Sequence, residues 1–498
     1  MNATLLFNGQ VWGHPGSNAI LFAEGGIAGI GEAGRFADVD AERVDARGGS
    51  ILPGFVDGHT HLLDTGLTAC GWQLDISGCD RAEALGRIAA AGRSRSGGEW
   101  LLATGWDESR WNPATRLELA DLDRAAPRSA VVAVRVDGHL AVLNSAALRR
   151  GRKTVEAVPR LLDPSTGEVR EAAVERLRSL VHPDAAILYE ALRAAARVCH
   201  ALGITTAHVM SGRADPLALL EMAHNLRLRL VVHPPAERLD RLVADGVRTG
   251  DGDEWGRWGG VKLFADGSIG ARNAAVSSRY ECGGRGALNY RFEPLWRQIA
   301  AADRHGWQTL THAIGDRAIG QVLRAHRRAG SDRDLRHRIE HYELATDAQV
   351  RETRDLGLAV CMQPNFVGNW SGAGGLYETA LGPERDAACN PFRAVLETGI
   401  PLGFGSDGMP LGPLYGIASA VQAPHAGQRV SPEAAVRGYT AGSALLSGNA
   451  PAAGALAVGL PADIVVLDGP VDDDGLARRS VVRTWVGGEP MSCEMEDR

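Results

Sequence analysis

Short apolar runs alternate with longer stretches of helical periodicity through the middle of the chain. The runs are Phe55–Asp57, Thr205–Val209, Leu228–Val232, Val261–Phe264, Thr309–Thr311, Arg338–Glu340, Leu358–Met362 and Leu402–Gly405. Runs this short and this apolar predict strands buried on both faces, and their alternation with helices predicts parallel βα units. Ala185–Leu202 and Leu295–His305 read as two of the intervening helices, the second capped at His305-Gly306. Eight runs are the number a closed (β/α)8 TIM barrel needs, so the predicted fold class is α/β, built on that barrel.

The two ends carry a different pattern. Thr4–Phe7, Ala19–Ala23, Gly26–Ile30 and Arg43–Asp45 predict short strands between glycine turns, and Asp463–Asp468 and Ser480–Val486 predict strands near the other end, with Asp472–Asp474 in a loop. Residues 1–50 and 448–498 are therefore expected to form one composite β-sandwich domain, flanking a barrel over 51–447. The gap between the first two barrel runs is about 140 residues, far beyond an ordinary βα connection. It holds its own strand candidates, Trp100–Ala103 and Ala130–Val136, and a polar, tryptophan-rich stretch over 105–113. Residues 70–175 are expected to be an inserted α+β subdomain capping the barrel mouth.

Composition narrows the class of partner. The 498 residues are 45% hydrophobic and 23% charged with a formal net charge of −7, acids and bases being interspersed, which argues against a nucleic-acid surface. No apolar run approaches the ~18 residues that span a bilayer, and the first residues lack the basic segment of a signal peptide. Seven scattered cysteines (Cys70, Cys79, Cys199, Cys282, Cys361, Cys389 and Cys493) form no CxxC pair and suit a reducing compartment. The expectation is a cytoplasmic protein acting on a small molecule, without nucleic-acid or membrane partners, and with a homodimer left open.

Candidate chemistry begins at Pro53–His61, PGFVDGHTH. Strand side chains alternate faces, so His59 and His61 project to one side and can grip one ion. An isolated HxH is often chance, but this one ends a buried strand, where barrel sites lie. His312, His341 and Asp407 close three further runs. Each alone reads equally as a hydrogen-bonded structural residue; together they form an imidazole and carboxylate set of the kind Zn2+ takes. Lys262 sits amid Val261, Leu263 and Phe264. Burial would favour its neutral amine, which can add carbon dioxide to become a carbamate bridging two metals. A lysine that snorkels outward or pairs with Asp266 fits the spacing as well. His208 and His233 end the second and third strands and could face the mouth, while Asp316 and Glu340 look like orienting groups for the histidines beside them.

These blocks resemble the amidohydrolase superfamily, in its amidohydrolase-3 branch, which includes N-substituted formamide deformylases. The resemblance rests on PGFVDGHTH, GWDESRWNP, DGHLAVLNSAAL, GITTAHV, GGVKLFADGSIGAR, THAIGDRAI, RHRIEHYE and GFGSD, in order along nearly the whole chain. It implies a metal-dependent hydrolase with His59, His61, Lys262, His312, His341 and Asp407 as ligands. Lys262 is then the carbamylated bridge, Asp407 the catalytic proton shuttle and His312 an aid to the oxyanion. It implies one or two Zn2+ ions, with Mn2+ or Fe2+ as substitutes. It also matches Trp106, Asp107 and Trp111, and His139 with Asn144, to segments that line the pocket in relatives, with ordinary packing the alternative for each. Arg272 could pair with an anionic substrate group or with a surface acid. The sequence departs from the pattern at Ser406-Asp407-Gly408-Met409-Pro410, where many relatives carry a tryptophan after the aspartate, which alters the pocket wall.

Three functions compete. The first is hydrolysis of an amide, an N-acyl or N-formyl group, or a cyclic amide by a metal-activated water. The second is a mononuclear zinc deaminase, which Lys262 disfavours because deaminases generally lack the bridging lysine. The third is a non-catalytic regulatory protein that binds a small molecule, which should have lost ligands; none of the six is missing.

Overall fold

The computed structural model describes residues 3–95, 99–156, 161–181, 183–212, 214–447, 453–471, 475 and 478–492. Cys493, the loop expected over Asp472–Asp474 and part of the terminal domain expected over 448–498 lie outside them. The chain is a mixed α/β protein of two compact units, one comprising Met1–Leu62, Ala195–Asp266 and Ala274–Arg498, the other Leu63–Ala194 and Gly267–Asn273. Among the described residues no helix is long and apolar enough to cross a membrane.

In the first unit every one of the eight apolar runs is a strand: β1 Phe55–Thr60, β2 Ile204–Met210, β3 Arg229–His233, β4 Val261–Phe264, β5 Thr309–Ala313, β6 Arg338–His341, β7 Ala359–Met362 and β8 Leu402–Phe404. They pair in parallel in chain order within two sheets, β1 to β3 with an extra strand Gly256–Trp258 beyond β3, and β4 to β8. Their near-uniform burial follows from having side chains covered on both faces. Backbone hydrogen bonds link the two sheets at each end. The Lys262 amide donates to the Pro234 carbonyl at 2.8 Å, and the Asp407 amide donates to the His59 carbonyl at 2.8 Å. The second link needs a glycine beside it, because a Cβ at Gly405 would lie 2.4 Å from the His59 nitrogen.

The helices obey the amphipathic rule. Asp316–Ala329 buries Ile319, Val322 and Leu323 and turns Arg327 and Arg328 outward, ending at Gly330 in the left-handed region.

The chain ends build two further sheets of this unit. One runs Gly26–Gly31, Ala19–Ala23, Thr4–Phe7, Glu42–Asp45; the other runs Gln10–Val11, Ser50–Pro53, Ile464–Leu467, Val481–Val486, Glu489–Met491. Leu6, Phe22, Ile27, Ile464 and Trp485 of one apolar cluster come from both sheets.

The second unit holds a six-stranded sheet ordered Leu162–Asp163, Glu168–Arg170, Leu140–Leu143, Ala130–Arg135, Trp100–Trp106, Leu74–Asp75. The return of Gly267–Asn273 to this unit has no counterpart in the sequence reading. Ser268 Oγ donates to Asp137 Oδ2 at 2.6 Å, and the Asn273 amide donates to Glu171.

Candidate metal centre

The six ligand candidates all stand at or just beyond the C-terminal ends of their strands, except Lys262, which lies one turn of the pleat deeper in β4. The structure brings most of them into direct proximity. His61 Nε2 lies 3.1 Å and His59 Nε2 3.6 Å from Asp407 Oδ1, and Lys262 Nζ lies 3.2 Å from His59 Nε2. The His341 ring packs 5.0 Å from that of His59 and 4.4 Å from that of His312. His312 Nε2 itself lies 3.6 Å from Asp266 Oδ1.

Asp407 Oδ1 is buried and has no hydrogen-bond partner, although two imidazole nitrogens face it. A buried carboxylate oxygen without a donor is costly unless a cation meets it. His59, His61 and Asp407 offer ligand atoms within 4.8 Å of one another, a donor set fitted to a divalent ion. The backbone is strained at the same place: His341 has φ +70° and Asp407 φ +55°, left-handed values that cost a residue with a Cβ and persist at sites over-determined by their surroundings.

Electrostatics keep these groups in ligating form. Burial, followed by the charge of Lys262, holds the His59 imidazole well below its ordinary pKa, and burial does the same for His341. Burial lowers the Lys262 ammonium to about 8. Only 5% exposed, Lys262 does not snorkel. The Asp266 carboxylate accepts from the backbone amides of Ala275, Ile314 and Gly315 at 2.8–3.0 Å.

Second partners orient the rings. His341 Nδ1 pairs with Gln363 Oε1 at 2.8 Å, leaving Nε2 for a ligand. His59 Nδ1 donates to Glu340 Oε2 at 2.5 Å. Burial pushes the Glu340 carboxyl up, but the Arg338 guanidinium outweighs it and leaves the group below its ordinary value. Glu340 thus serves the histidine across the sheet, not its neighbour His341. The expectation for Asp316 is corrected: its carboxylate accepts from the Ser277 amide at the start of a helix. His208 and His233 are fully buried; His208 Nδ1 lies 3.0 Å from Arg338 Nη1 and 3.3 Å from His233 Nε2. Phe264, 41% exposed, places its ring 5.6 Å from that of His312.

Asp57, Arg338 and Gln363 are contributors the sequence reading did not single out. Asp57 accepts from the Ser406 hydroxyl at 2.6 Å and from the amides of Ser406 and His59, and burial raises its pKa to about 7. It stands two residues before His59, so the alternation that pairs His59 with His61 also carries Asp57 onto their face.

In the second unit, Trp106 is fully buried, stacked 6.0 Å from Trp111, with its indole N–H donating to the Ala133 carbonyl. Asp107 caps a short helix and pairs with the fully buried Arg135 at 3.2 Å. His139 lies 3.0 Å from Glu171. Asn144 donates to the carbonyls of Ala126 and Ser129 and caps the following helix through Ala147. Arg272 is half-buried with φ +60°. Trp106, Trp111 and Asn144 are thus buried and hydrogen-bonded within their own unit.

The sequence model of the amidohydrolase family matches residues 42–491. A putative amidohydrolase, YtcJ of Bacillus subtilis (strain 168), is 28% identical, the alignment covering 95% of each chain. The N-substituted formamide deformylase of Arthrobacter pascens is 26% identical over 95% of this chain and 94% of its own. The crystal structure of an uncharacterized metal-dependent hydrolase from Pyrococcus furiosus superposes with a TM-score of 0.72 at 26% identity, covering 94% of this chain and 99% of that one.

Proposed function

This chain belongs to the amidohydrolase family, and from that membership we propose that it hydrolyses a carbon–nitrogen bond in an amide, an N-acyl or N-formyl compound, or a cyclic amide. That it is a metal-dependent amidohydrolase follows from the family and its relatives. The name of the Arthrobacter pascens relative supports the N-formyl end of the substrate range. The two backbone links between the parallel sheets support closure of the eight strands into a (β/α)8 barrel.

One observation carries the reading: Asp407 Oδ1, buried and unpartnered, faces two imidazole nitrogens. His59, His61, Lys262, His312, His341 and Asp407 would hold one or two ions, Zn2+ first and Mn2+ or Fe2+ as substitutes. When bound, the metal supplies Lewis acidity and lowers the pKa of water towards ~7. Lys262, whose ammonium burial lowers to about 8, adds carbon dioxide at Nζ with loss of a proton and becomes an anionic two-oxygen ligand. Asp407 accepts the proton of the attacking water and returns it to the leaving nitrogen. His312 faces the developing oxyanion. Phe264 offers an apolar face beside His312 to the substrate's substituent. Of the residues matched to substrate contacts, Arg272 is the one suited to an anionic group.

The test is a panel of N-acyl, N-formyl and cyclic-amide compounds, assayed with zinc- and manganese-loaded protein for release of amine or acid. Turnover of one class, lost on chelation and restored by metal, is the expected result. Ammonia release from cyclic amidines with no amide turned over would replace it with the deaminase reading.

A further inference from the structure

We propose that the buried pair Arg338–Glu340 is the positioning device for His59, fixing which ring nitrogen carries the proton so that Nε2 is kept for the metal; this rests on the metal-centre reading above. Arg338 and Glu340 are both fully buried on β6 and two residues apart, so they share one face of the strand. Arg338 Nε donates to Glu340 Oε1 at 2.6 Å and Nη2 to Oε2 at 2.9 Å, a two-pronged grip on the carboxylate. Glu340 Oε2 then takes the His59 Nδ1 proton at 2.5 Å. A carboxylate already held at both oxygens by a guanidinium accepts that hydrogen bond without needing to take the proton. The ring is therefore protonated at Nδ1 and bare at Nε2, the atom that faces Lys262 Nζ and Asp407 Oδ1.

The guanidinium is itself fixed from three sides. Nη2 also donates to the Gly58 carbonyl at 2.8 Å, so the group that sets the tautomer also holds the backbone one residue before His59. Nη1 donates to His208 Nδ1 at 3.0 Å. His208 Nδ1 is also met by His233 Nε2 at 3.3 Å, and His233 Nδ1 accepts from the Gly260 amide at 2.9 Å. The arginine can only donate, so His208 Nδ1 accepts and carries no proton. Strands β1, β2 and β6 thereby meet at one guanidinium, and β3 joins them through His208.

A competing use of the same atoms is a second ion held by His59, Glu340 and Cys361, whose ligand atoms also lie within 4.8 Å of one another. Arg338 opposes it, because a cation there would have to displace a guanidinium already bound to both carboxylate oxygens. A purely structural ion pair is opposed by economy: apolar packing serves a barrel interior at least as well as a buried pair. Lysine could not replace Arg338, since an ammonium lacks the planar fork that meets these acceptors.

Two readouts test the positioning. The first uses wild-type protein, metal-free and labelled with 15N-histidine, with His59→Asn to assign the signal. His59 protonated at Nδ1 alone is expected; protonation at Nε2, alone or with Nδ1, overturns the inference. The second is Co2+ titration, followed by visible absorbance, of wild type, Glu340→Gln and Arg338→Lys, with melting curves to count folded protein. A glutamine must turn its NH2 towards either Arg338 or His59 Nδ1–H, so the variants are expected to bind Co2+ about 10–100-fold more weakly per folded molecule. Equal affinity in wild type and folded variants overturns the inference and leaves the metal centre standing. Wild type that binds no Co2+ overturns both. Where a variant does not fold, the wild-type spectrum decides.

Discussion

The Arg135 cluster of the second unit and the Asp407 cluster of the first both stand at strand ends, and both enclose carboxylate oxygens. Arg135 is fully enclosed, and its Nε, Nη1 and Nη2 donate to Glu108, Asp137 and Asp107 at 2.8, 2.9 and 3.2 Å. Asp137 also accepts from Ser268, and Asp107 also accepts from Ser109. At Asp407 the count stops short: one oxygen, turned towards two imidazoles, accepts from no donor. A polar cluster that satisfies itself stiffens the fold, and one that leaves an atom open keeps a place for something else. One cluster closes its carboxylates on a guanidinium and the other turns a carboxylate towards imidazoles; the hydrogen-bond accounting separates structure from chemistry.

The contrast predicts opposite outcomes for removing a charge. Asp407→Asn should lower kcat by about 10²–10⁴-fold, the range of an acid–base group. Its melting temperature should hold or rise, since the oxygen that is lost accepts no hydrogen bond. Full activity in steady-state assays would remove Asp407 from proton transfer. Arg135→Met should instead cost stability, about 3–5 kcal/mol in denaturant unfolding, because three carboxylates lose the buried guanidinium they share, Glu108 keeping only Arg116. An unchanged midpoint there would show that the cluster does not depend on its arginine.

Lys262→Ala should lower metal content by elemental analysis, with part of it restored by small carboxylates; unchanged occupancy would break the bridge assignment. The wild-type lysine gives a pH test. Its pKa is lowered from 10.5 to about 8 by burial, so the neutral, reactive amine gains population as pH rises through about 8. Metal uptake by metal-free protein at fixed carbon dioxide should rise across that window and level off above it. The smallest effect belongs to Trp106→Phe, which removes the indole hydrogen bond to the Ala133 carbonyl and should cost about 1 kcal/mol. An unchanged KM there would establish packing as its whole role, and a raised KM would return it to the substrate.

The eight strands are legible in the sequence because burial on both faces leaves continuous apolar runs, and the candidate ligand histidines are legible because each closes such a run. What stays hidden depends on distance. Glu340 looks like a partner for His341, its neighbour, yet adjacent strand residues point to opposite faces, and its proton comes from His59, 281 residues away. Asp316 follows His312 closely but begins a helix, and its carboxylate accepts from the Ser277 amide. The loop Gly267–Asn273 carries no periodicity that could announce its return to the second unit. Trp106, in a polar stretch, looks like a pocket wall; its burial comes from Trp111 and the sheet beneath, which no local pattern displays.

The strand Ser50–Pro53 has a consequence in time. It pairs antiparallel with Ile464–Leu467 and runs through Gly54, whose amide donates to the Asp463 carbonyl, directly into β1 and His59. During synthesis the ribosome delivers His59 and His61 early and their backstop last. Until Ile464 emerges, His59 and His61 follow a strand with an unpaired edge, and a metal centre built on them would be complete only once that edge is paired.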